Sequence, residues 1–422
     1  MTKKHAWKTG AAFLCVCTLT AGLWGCGTEE KNEEEKILRV VTDGRLYNDV
    51  EFAARFLEGV DSGIEVRIQR LPDKQEERET EIQKLRTEIM AGKGPDVYLL
   101  ENVRENTVED VMPLLENPYQ TMQSGALASL DEFMEKDSYW EDNTYHEAIL
   151  KEGQYDGRQY IIPMSVMYYV LPRTEDMEEM TGDTLGEWVE QVANSEDVRL
   201  KKYFITLMSQ GARWIQPAAD YESGEVLFDQ KKWCEFADKF IRFGKAAQEE
   251  LALVEEHYFF ENGRAADKNE KVDLQIVPDI DGRKMASIMS YAAVGMSSDL
   301  KQEAYDYLML FLNDQTKQYN KEHPDIRLPE FYGYLSHIGN VPVQESAFEV
   351  WMGYPDDEVL QETINTFREL DGAYFLTSAE RTLFTEASDI CSEAIYSDYD
   401  WTQALPKAAD SAWNTYKMMV SE

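Results

Sequence analysis

Two periodicities alternate along the first part of the chain. Apolar runs at 37–42, 65–71 and 96–100 have the length of strands, and the last is almost free of polar residues, as buried parallel strands are. Between these runs, apolar side chains recur at helical spacing at 50–57 and 82–89. The order strand, helix, strand, helix, strand predicts an α/β fold.

The rest of the chain mixes both patterns. A turn and strand at 157–163 continue into a further apolar stretch that ends at residue 171. An extended region at 272–277 leads through a turn containing Asp and Gly to a second apolar stretch at 286–294. Helical spacing returns in four segments, at 185–192, 233–243, 304–312 and 383–394. We find no internal repeat.

The N-terminus has the layout of a secretory signal. Three lysines precede a mostly apolar stretch at 10–24, which is shorter than the ~20 residues that a membrane-spanning helix needs. The segment from Leu23 to Cys26 resembles the lipobox at which bacterial lipoproteins are cleaved and lipidated on the new N-terminal cysteine. We therefore predict a signal peptide at 1–25 and a lipid on Cys26. The alternative is an ordinary apolar segment in which cysteines occur by chance.

We predict that residues 26–36 form a disordered tether, because the segment after the cysteine is short, charged and free of apolar side chains. Several acyl chains on one cysteine give stable membrane anchoring. We therefore expect the mature chain on the extracellular face of the bacterial cytoplasmic membrane, held by its lipid.

The composition limits which partners the protein can bind and what can stabilise its fold. With 80 acidic and 42 basic residues the net charge is −38, which excludes nucleic acid as a natural partner because an acidic surface repels phosphates. Only Cys26, Cys234 and Cys391 remain once the signal is removed, so no disulfide framework supports the fold. Stability must come from a large buried core.

One segment carries the most specific resemblance to a known family. Residues 89–97 contain Ala-Gly-Lys-Gly-Pro-Asp-Val, which is similar to the Ala-Gly-x-Gly-Pro-Asp motif of the maltose-binding-protein-like, family 1, extracellular solute-binding lipoproteins of ABC importers. Glycine suits the helix-to-strand return there because it tolerates positive φ. Three further segments resemble the family in order and spacing, at 41–68, 157–169 and 282–313.

The resemblance implies two α/β lobes joined by hinge crossover strands, with a helical C-terminal part. It places 37–164 and 288–340 in lobe I, and 165–287 and 341–422 in lobe II. Crossovers are then expected near Val166, Ser290 and Asn340. It also implies a monomer that binds a small-molecule solute between the lobes and delivers it unchanged to ABC permease subunits.

Polar candidates for the ligand site follow the first and third strands, because ligands of parallel sheets bind beyond the carboxyl ends of the strands. Asp43 and Arg45 follow the first strand, and Glu101, Asn102 and Arg104 follow the third. Carboxylates and amides accept hydrogen bonds from sugar hydroxyls, and arginine donates to them. In a chain with 80 acids, a solvated acidic loop is the competing interpretation.

Aromatic candidates would supply ring faces for a sugar to stack on. They are Tyr168 and Tyr169 at the first crossover, Trp214 in a loop, Tyr291 at the second crossover and Tyr374 before the C-terminal helices. Aromatic residues make up 12% of the chain, so most of them must be core. Together with the resemblance, this mixture predicts a neutral, hydroxyl-rich solute, an oligosaccharide or related glycoside.

Enzyme signatures are missing from the sequence. The histidines are scattered without zinc-ligand spacing, and there is neither a nucleophile elbow nor a phosphate loop. Cys234 lies in a helical segment, where a core role is expected. We predict no catalytic residue, metal or cofactor.

A second function class stays open, a degenerate member of the same fold that acts as a sensor or protein-interaction lipoprotein. The segment 261–266 favours this class, because it is shorter than the corresponding segment of the family and lacks the tryptophan that often follows it there.

Overall fold

The structure is a computed structural model, and it describes residues 36–61, 63–102, 112–173, 177–208, 213–251, 261–262, 272–312, 319, 321–323 and 340–421. The signal peptide, Cys26 and Arg104 lie outside the described residues. No described helix is both long and apolar enough to cross a membrane.

Fourteen strands are described, and we number them in chain order: β1 Lys36–Thr42, β2 Ile64–Arg70, β3 Val97–Glu101, β4 Gln154–Tyr155, β5 Arg158–Gln159, β6 Ile161–Met167, β7 Tyr169–Arg173, β8 Ala219–Asp220, β9 Glu225–Val226, β10 Glu261–Asn262, β11 Asp273–Ile276, β12 Met285–Val294, β13 Val341–Pro342 and β14 Gly372–Phe375.

Fourteen α-helices are described: α1 Tyr47–Val60, α2 Gln75–Met90, α3 Pro118–Gln123, α4 Asp131–Met134, α5 Ser138–Glu141, α6 Glu147–Leu150, α7 Leu185–Asn194, α8 Val198–Met208, α9 Gln230–Leu251, α10 Lys301–Met309, α11 Phe348–Trp351, α12 Asp357–Phe367, α13 Ser378–Tyr396 and α14 Ala404–Met419. Short 3₁₀ turns lie at Lys151–Gly153 and Glu345–Ala347.

A seven-stranded mixed sheet forms the centre of the first lobe. Its order is β13-β6-β12-β3-β1-β2, and β14 pairs with the start of β12 on the same side as β3, beyond the end of β3. β1 runs parallel to β2 and β3, whereas β12 runs antiparallel to β3 and β6. All residues of β12 except Met285 are buried, because helices cover both faces of such a sheet.

The predicted βαβαβ start of the chain is confirmed. α1 buries an apolar stripe that includes Val50, Ala53 and Leu57 against the sheet, and full burial of a valine or leucine side chain contributes about 1.5–3 kcal/mol. α2 ends two residues before Gly92, whose φ of 67° is the left-handed conformation that glycine adopts at helix ends.

Among the described residues, the second lobe contains five long helices, a small antiparallel sheet of order β10-β7-β11 and the two-stranded sheet β8-β9. Helices α7, α8, α9, α13 and α14 pack on one another around the second hydrophobic core. Two of these helices begin with a capping box, Thr184 with Glu187 on α7 and Thr377 with Glu380 on α13. The α/β fold with two lobes and a helical C-terminal part is as the sequence predicts.

The chain crosses between the two cores at three places. In β7, Tyr169 and Leu171 belong to the second core and Val170 to the first, because successive strand residues face opposite sides. The second crossover is 277–285, and the third is 375–379, where Phe375 belongs to the first core and Ala379 to the second.

Residues 341–375 pack in the first core, whereas the sequence analysis places 341–422 in the second lobe with a crossover near Asn340. The reason is strand pairing, since β13 pairs with β6 and β14 with β12. Val166 and Ser290 likewise lie within the paired strands β6 and β12 of the large sheet, and not in the crossovers themselves.

Gly295 lets the end of β12 approach the loop before β3. A Cβ at this position would lie 2.2 Å from the carbonyl oxygen of Pro95. We expect Gly295→Ala to lower the free energy of unfolding by about 1–3 kcal/mol, the usual cost of overpacking. In contrast, Gly186→Ala in the first turn of α7, where a Cβ meets nothing closer than 3.8 Å, should raise it by about 0.4–1 kcal/mol. Thermal unfolding of both variants checks this pair, and equal shifts would contradict it.

Candidate functional site

The carboxyl ends of β1 and β3 meet at a buried ion pair. Asp43 Oδ1 accepts a hydrogen bond from Arg78 Nη2 at 2.6 Å, and Asp43 Oδ2 accepts one from the backbone N–H of Glu101 at 2.9 Å. Both side chains of the ion pair are less than one tenth exposed. Asp43 therefore supports the two strand ends from within the protein, because both of its oxygens are already used there.

Asn102 has a similar supporting role. Its side-chain Nδ2 donates to the carbonyl of Ile288 at 2.9 Å, and its backbone N–H donates to the carbonyl of Met289 at 2.8 Å. Since Asn102 is 5% exposed, it ties the end of β3 to the middle of β12.

Glu101 and Arg45 are the polar candidates that reach the surface at this edge. Arg45 is exposed and Glu101 is half-buried. Burial, and secondly the negative charge of Asp43, raises the pKa of Glu101 to about 7. Near pH 7 this carboxyl group is therefore partly protonated, and its protonated form donates a hydrogen bond as well as accepting them.

Tyr168 and Tyr291 belong to the first core and offer no face to a solute. Tyr168 is fully buried and packs near Phe367. Tyr291 is 1% exposed, and its ring meets Phe375 edge to face at 5.4 Å between centroids. The sequence analysis places both at crossovers, where an exposed ring is expected. Their positions within or beside the long paired strands instead bury them.

A pocket of about 450 Å³, its open mouth included, lies where the three crossovers come together. The first crossover contributes Tyr169, the second the segment 277–285, and the strand leading into the third contributes Tyr374. The pocket is lined by Tyr169, Leu185, Arg213, Trp214, Gln216, Val277, Pro278, Asp279, Arg283, Met285 and Tyr374. It thus brings together three of the predicted aromatic residues, Tyr169, Trp214 and Tyr374.

A buried carboxylate holds two walls of this pocket in place. Asp279 Oδ1 accepts hydrogen bonds from the backbone N–H groups of Asp281 and Arg283, and Oδ2 accepts from Arg283 Nε at 3.0 Å. Oδ2 also lies 3.3 Å from the backbone nitrogen of Gln216, in the loop that carries Trp214. Asp279 therefore joins the second crossover to the second lobe.

Arg213 connects the second lobe to the large sheet. Its Nη2 donates to Ser287 Oγ on β12 at 2.6 Å, and its guanidinium lies 4.6 Å from the centroid of the Tyr169 ring. Because Ser287 pairs with Tyr374 and Met167, Arg213 reaches the sheet at the pocket. Arg213, Asp279 and Arg283 are not among the candidates predicted from the sequence, although the predicted turn contains Asp279 and ends just before Arg283.

Trp214 does not offer the exposed ring face that the sequence predicts for sugar stacking. Its ring is 1% exposed and packs against Trp233, Phe236 and Phe240 at centroid distances of 5.3, 5.0 and 5.9 Å. Its indole N–H is buried and has no hydrogen-bond partner among the described residues. Buried indole N–H groups usually have a partner. The chemical interest of Trp214 thus lies in this donor and not in a stacking face.

Within the described residues, no group of three or more His, Cys, Asp and Glu side chains could hold a metal ion. Cys234 and Cys391 are both free thiols. Burial raises the pKa of Cys234 to about 11 and that of Cys391 to about 12, so both are poor nucleophiles at neutral pH.

Solved structures show which fold this is. A family 1 extracellular solute-binding protein from Alicyclobacillus acidocaldarius is 12% identical with a TM-score of 0.58, covering 92% of this chain and 98% of that chain. The sugar-binding protein MalE from Xanthomonas citri is 12% identical with a TM-score of 0.54, covering 92% and 98%. The cyclic α-maltosyl-1,6-maltose binding protein from Arthrobacter globiformis is 16% identical with a TM-score of 0.51, covering 91% and 98%.

At these identities the likeness establishes the fold, and the two-lobe solute-binding-protein fold predicted from the sequence is confirmed. No model of a known protein family matches the chain, and no curated protein sequence matches it.

Glu101 should make stability depend on pH. Because the folded state raises its pKa from 4.5 to about 7, the folded state holds the proton more tightly than the unfolded state does. This contribution to stability is present below pH 4.5 and is lost as pH rises to about 7. Glu101→Gln should therefore be more stable than the parent at pH 8, by on the order of 2 kcal/mol, and equal to it at pH 4.

Urea unfolding across this pH range measures the effect, with Glu135→Gln as a control that removes one exposed negative charge. A constant difference between Glu101→Gln and the parent at all pH values would contradict the assignment.

Proposed function

We propose that this protein is the extracellular solute-binding subunit of an ABC importer, that it captures a carbohydrate by closing two lobes, and that it releases the carbohydrate unchanged. The observation that carries the proposal is the pocket at the meeting point of all three crossovers. In a two-lobe fold, this is where a hinge rotation encloses a small molecule most completely.

The lining of the pocket suits a sugar. Tyr374 and Tyr169 line it with rings of which only a small part is accessible, 2% and 9% of each residue being exposed, and the guanidiniums of Arg213 and Arg283 supply donors. The buried indole N–H of Trp214 would gain a partner from a ligand hydroxyl. At the first-lobe edge, Arg45 and Glu101 remain the proposed polar contacts, whereas Asp43 and Asn102 support them.

The similar structures support the same ligand class. Their names describe a sugar-binding protein and a binding protein for a cyclic maltosyl-maltose, and another similar structure, with a TM-score of 0.50, is a substrate-binding protein in complex with cycloalternan. Because these are binding proteins, they also support a role without catalysis. The N-terminal sequence adds export and a lipid anchor, which place capture outside the cell and close to a permease.

A thermal-shift screen of maltotriose, cycloalternan, amino acids, peptides and polyamines tests the ligand class. A ligand that binds only the folded state raises the melting temperature, and we expect the rise with oligosaccharides. Tyr374→Ala should then weaken the hit about fivefold or more, because one buried aromatic contact is commonly worth more than ~1 kcal/mol in binding. Tyr354→Ala, at an exposed tyrosine, is the matched control.

Hits confined to amino acids or polyamines would overturn the sugar assignment. If no solute in the screen binds, the alternative of a sensor or protein-interaction lipoprotein with this fold becomes the better explanation. A sugar hit that Tyr374→Ala leaves intact would place the ligand away from the crossover pocket.

Anchoring is tested separately. Cys26→Ser removes the thiol that would carry the lipid, so the variant should leave the membrane fraction and appear in the medium or periplasm. Fractionation followed by immunoblotting measures this. Continued sedimentation of Cys26→Ser with membranes would disprove the lipobox assignment.

A further inference from the structure

The crossover pocket contains a buried donor that no described residue uses. Trp214 is 1% exposed and lines the pocket, and its indole N–H has no hydrogen-bond partner among the described residues. A buried N–H without a partner has lost its hydrogen bonds to water and gained none in exchange. Because the indole nitrogen only donates, the ligand group that satisfies Trp214 must be an acceptor.

The carboxylate that lines the same pocket has no acceptor position left for a ligand. Asp279 Oδ1 accepts from the backbone N–H groups of Asp281 and Arg283. Its Oδ2 accepts from Arg283 Nε and lies 3.3 Å from the backbone nitrogen of Gln216. A carboxylate has about four acceptor positions, so these contacts fill Asp279. The other polar groups of the described lining, the Gln216 amide and two tyrosine hydroxyls, can donate as well as accept.

Two arginines line the pocket beside this single carboxylate. Arg283 Nη2 lies 3.0 Å from Asp279 Oδ2, so these two charges balance each other. Arg213 comes directly before Trp214 in the chain, and its guanidinium contacts two neutral groups, a serine hydroxyl and a tyrosine ring. The described lining therefore carries an excess of one positive charge and offers a ligand mainly hydrogen-bond donors.

We propose that the ligand is an acidic oligosaccharide, and that the carboxylate of one uronate residue binds in this pocket to Arg213 and to the indole N–H of Trp214. A carboxylate accepts without donating, and its hydrogen bonds to guanidinium are among the strong ones in proteins. Its single charge equals the excess on the lining, whereas a phosphate ester carries about −1.5 to −2 at pH 7.

This inference rests on the proposed function and narrows its ligand class. It makes the acceptor for Trp214 a carboxylate oxygen instead of a hydroxyl, and it departs from the neutral solute that the sequence predicts. The net charge of −38 does not oppose it, because salt at physiological strength screens exposed charges beyond ~8 Å. The groups that line the pocket therefore decide the charge of the ligand.

Pairs of ligands that differ only in charge test the proposal. Trigalacturonate and trimannuronate are each compared by calorimetry with their methyl esters, in which the carboxylate charge is removed and the sugar rings are unchanged. We expect at least one free acid to bind about tenfold more tightly than its ester, as expected when a charge-assisted hydrogen bond is present. Maltotriose and glucose 1-phosphate complete the panel.

Each other result of this panel decides against the proposal. Esters or maltotriose that bind as tightly as the free acids would overturn the uronate assignment and leave carbohydrate capture standing. Glucose 1-phosphate that binds when both uronates fail would replace the carboxylate by a phosphate. If no carbohydrate binds, the proposed function fails together with the inference.

Arg213→Gln removes the charge and keeps a hydrogen-bond donor. The variant should bind the preferred free acid about tenfold to hundredfold more weakly, the usual cost of losing a hydrogen bond to a charged group. Its affinity for the methyl ester should change by less than about threefold. Arg242→Gln, at an exposed arginine of the same lobe, is the control. Equal losses for acid and ester would show that Arg213 supports the pocket without reading charge.

Trp214→Phe removes the indole N–H and keeps an aromatic ring. Trp188→Phe is the matched control, because its indole N–H donates to the carbonyl of Gly182 at 2.6 Å. Both variants lose the same side-chain volume, so without ligand Trp214→Phe should lower the melting temperature less than Trp188→Phe does. Trp214→Phe should also weaken binding of the free acid about threefold to tenfold. Unchanged affinity for the acid would overturn the role of this donor.

Discussion

The arrangement of the first lobe and of its crossovers depends on the burial of one strand, β12. β12 pairs with β3 and β6 along its length and with β14 near its start, and every residue after Met285 is buried. A strand with neighbours on both sides has most of its backbone groups paired and cannot shift register without moving its apolar side chains. β12 therefore holds the first lobe together and also anchors the second and third crossovers, which lead from it and from β14 to the other core.

Two buried carboxylates then position the loops around the sheet. Asp43 holds the ends of β1 and β3 through Arg78 and the N–H of Glu101. Asp279 does the same at the pocket, through Arg283 and the backbone near Gln216. Each carboxylate is buried at a cost that its hydrogen bonds and charged partner offset. In the proposed function, the crossovers between these supported loops are the segments about which the lobes would move.

Local sequence determined the elements and the fold class. The apolar runs and helical spacing before residue 100 match β1, α1, β2 and β3 to within about three residues, because periodicity follows directly from which face of an element is buried. α2 begins seven residues before the predicted spacing at 82–89, since its first two turns are mostly polar. The sequence also indicated the turn at Gly92 after α2, because a positive φ at a helix end favours glycine. The turn at 278–282 was also visible, through its Pro, Asp and Gly.

Tertiary structure alone decided which residues serve the pocket. Asp43 and Glu101 are both acidic residues at the carboxyl ends of strands. Arg78, 35 residues along the chain from Asp43, pairs with Asp43 and makes it a buried support for the strand ends. Glu101 instead stays near the surface. Tyr168 and Tyr169 are chain neighbours, but strand alternation sends one into the first core and the other to the pocket. The third crossover lies at 375–379 because β13 and β14 pair with strands far away in sequence. Such pairings depend on contacts between distant segments, and no local pattern of residues encodes them.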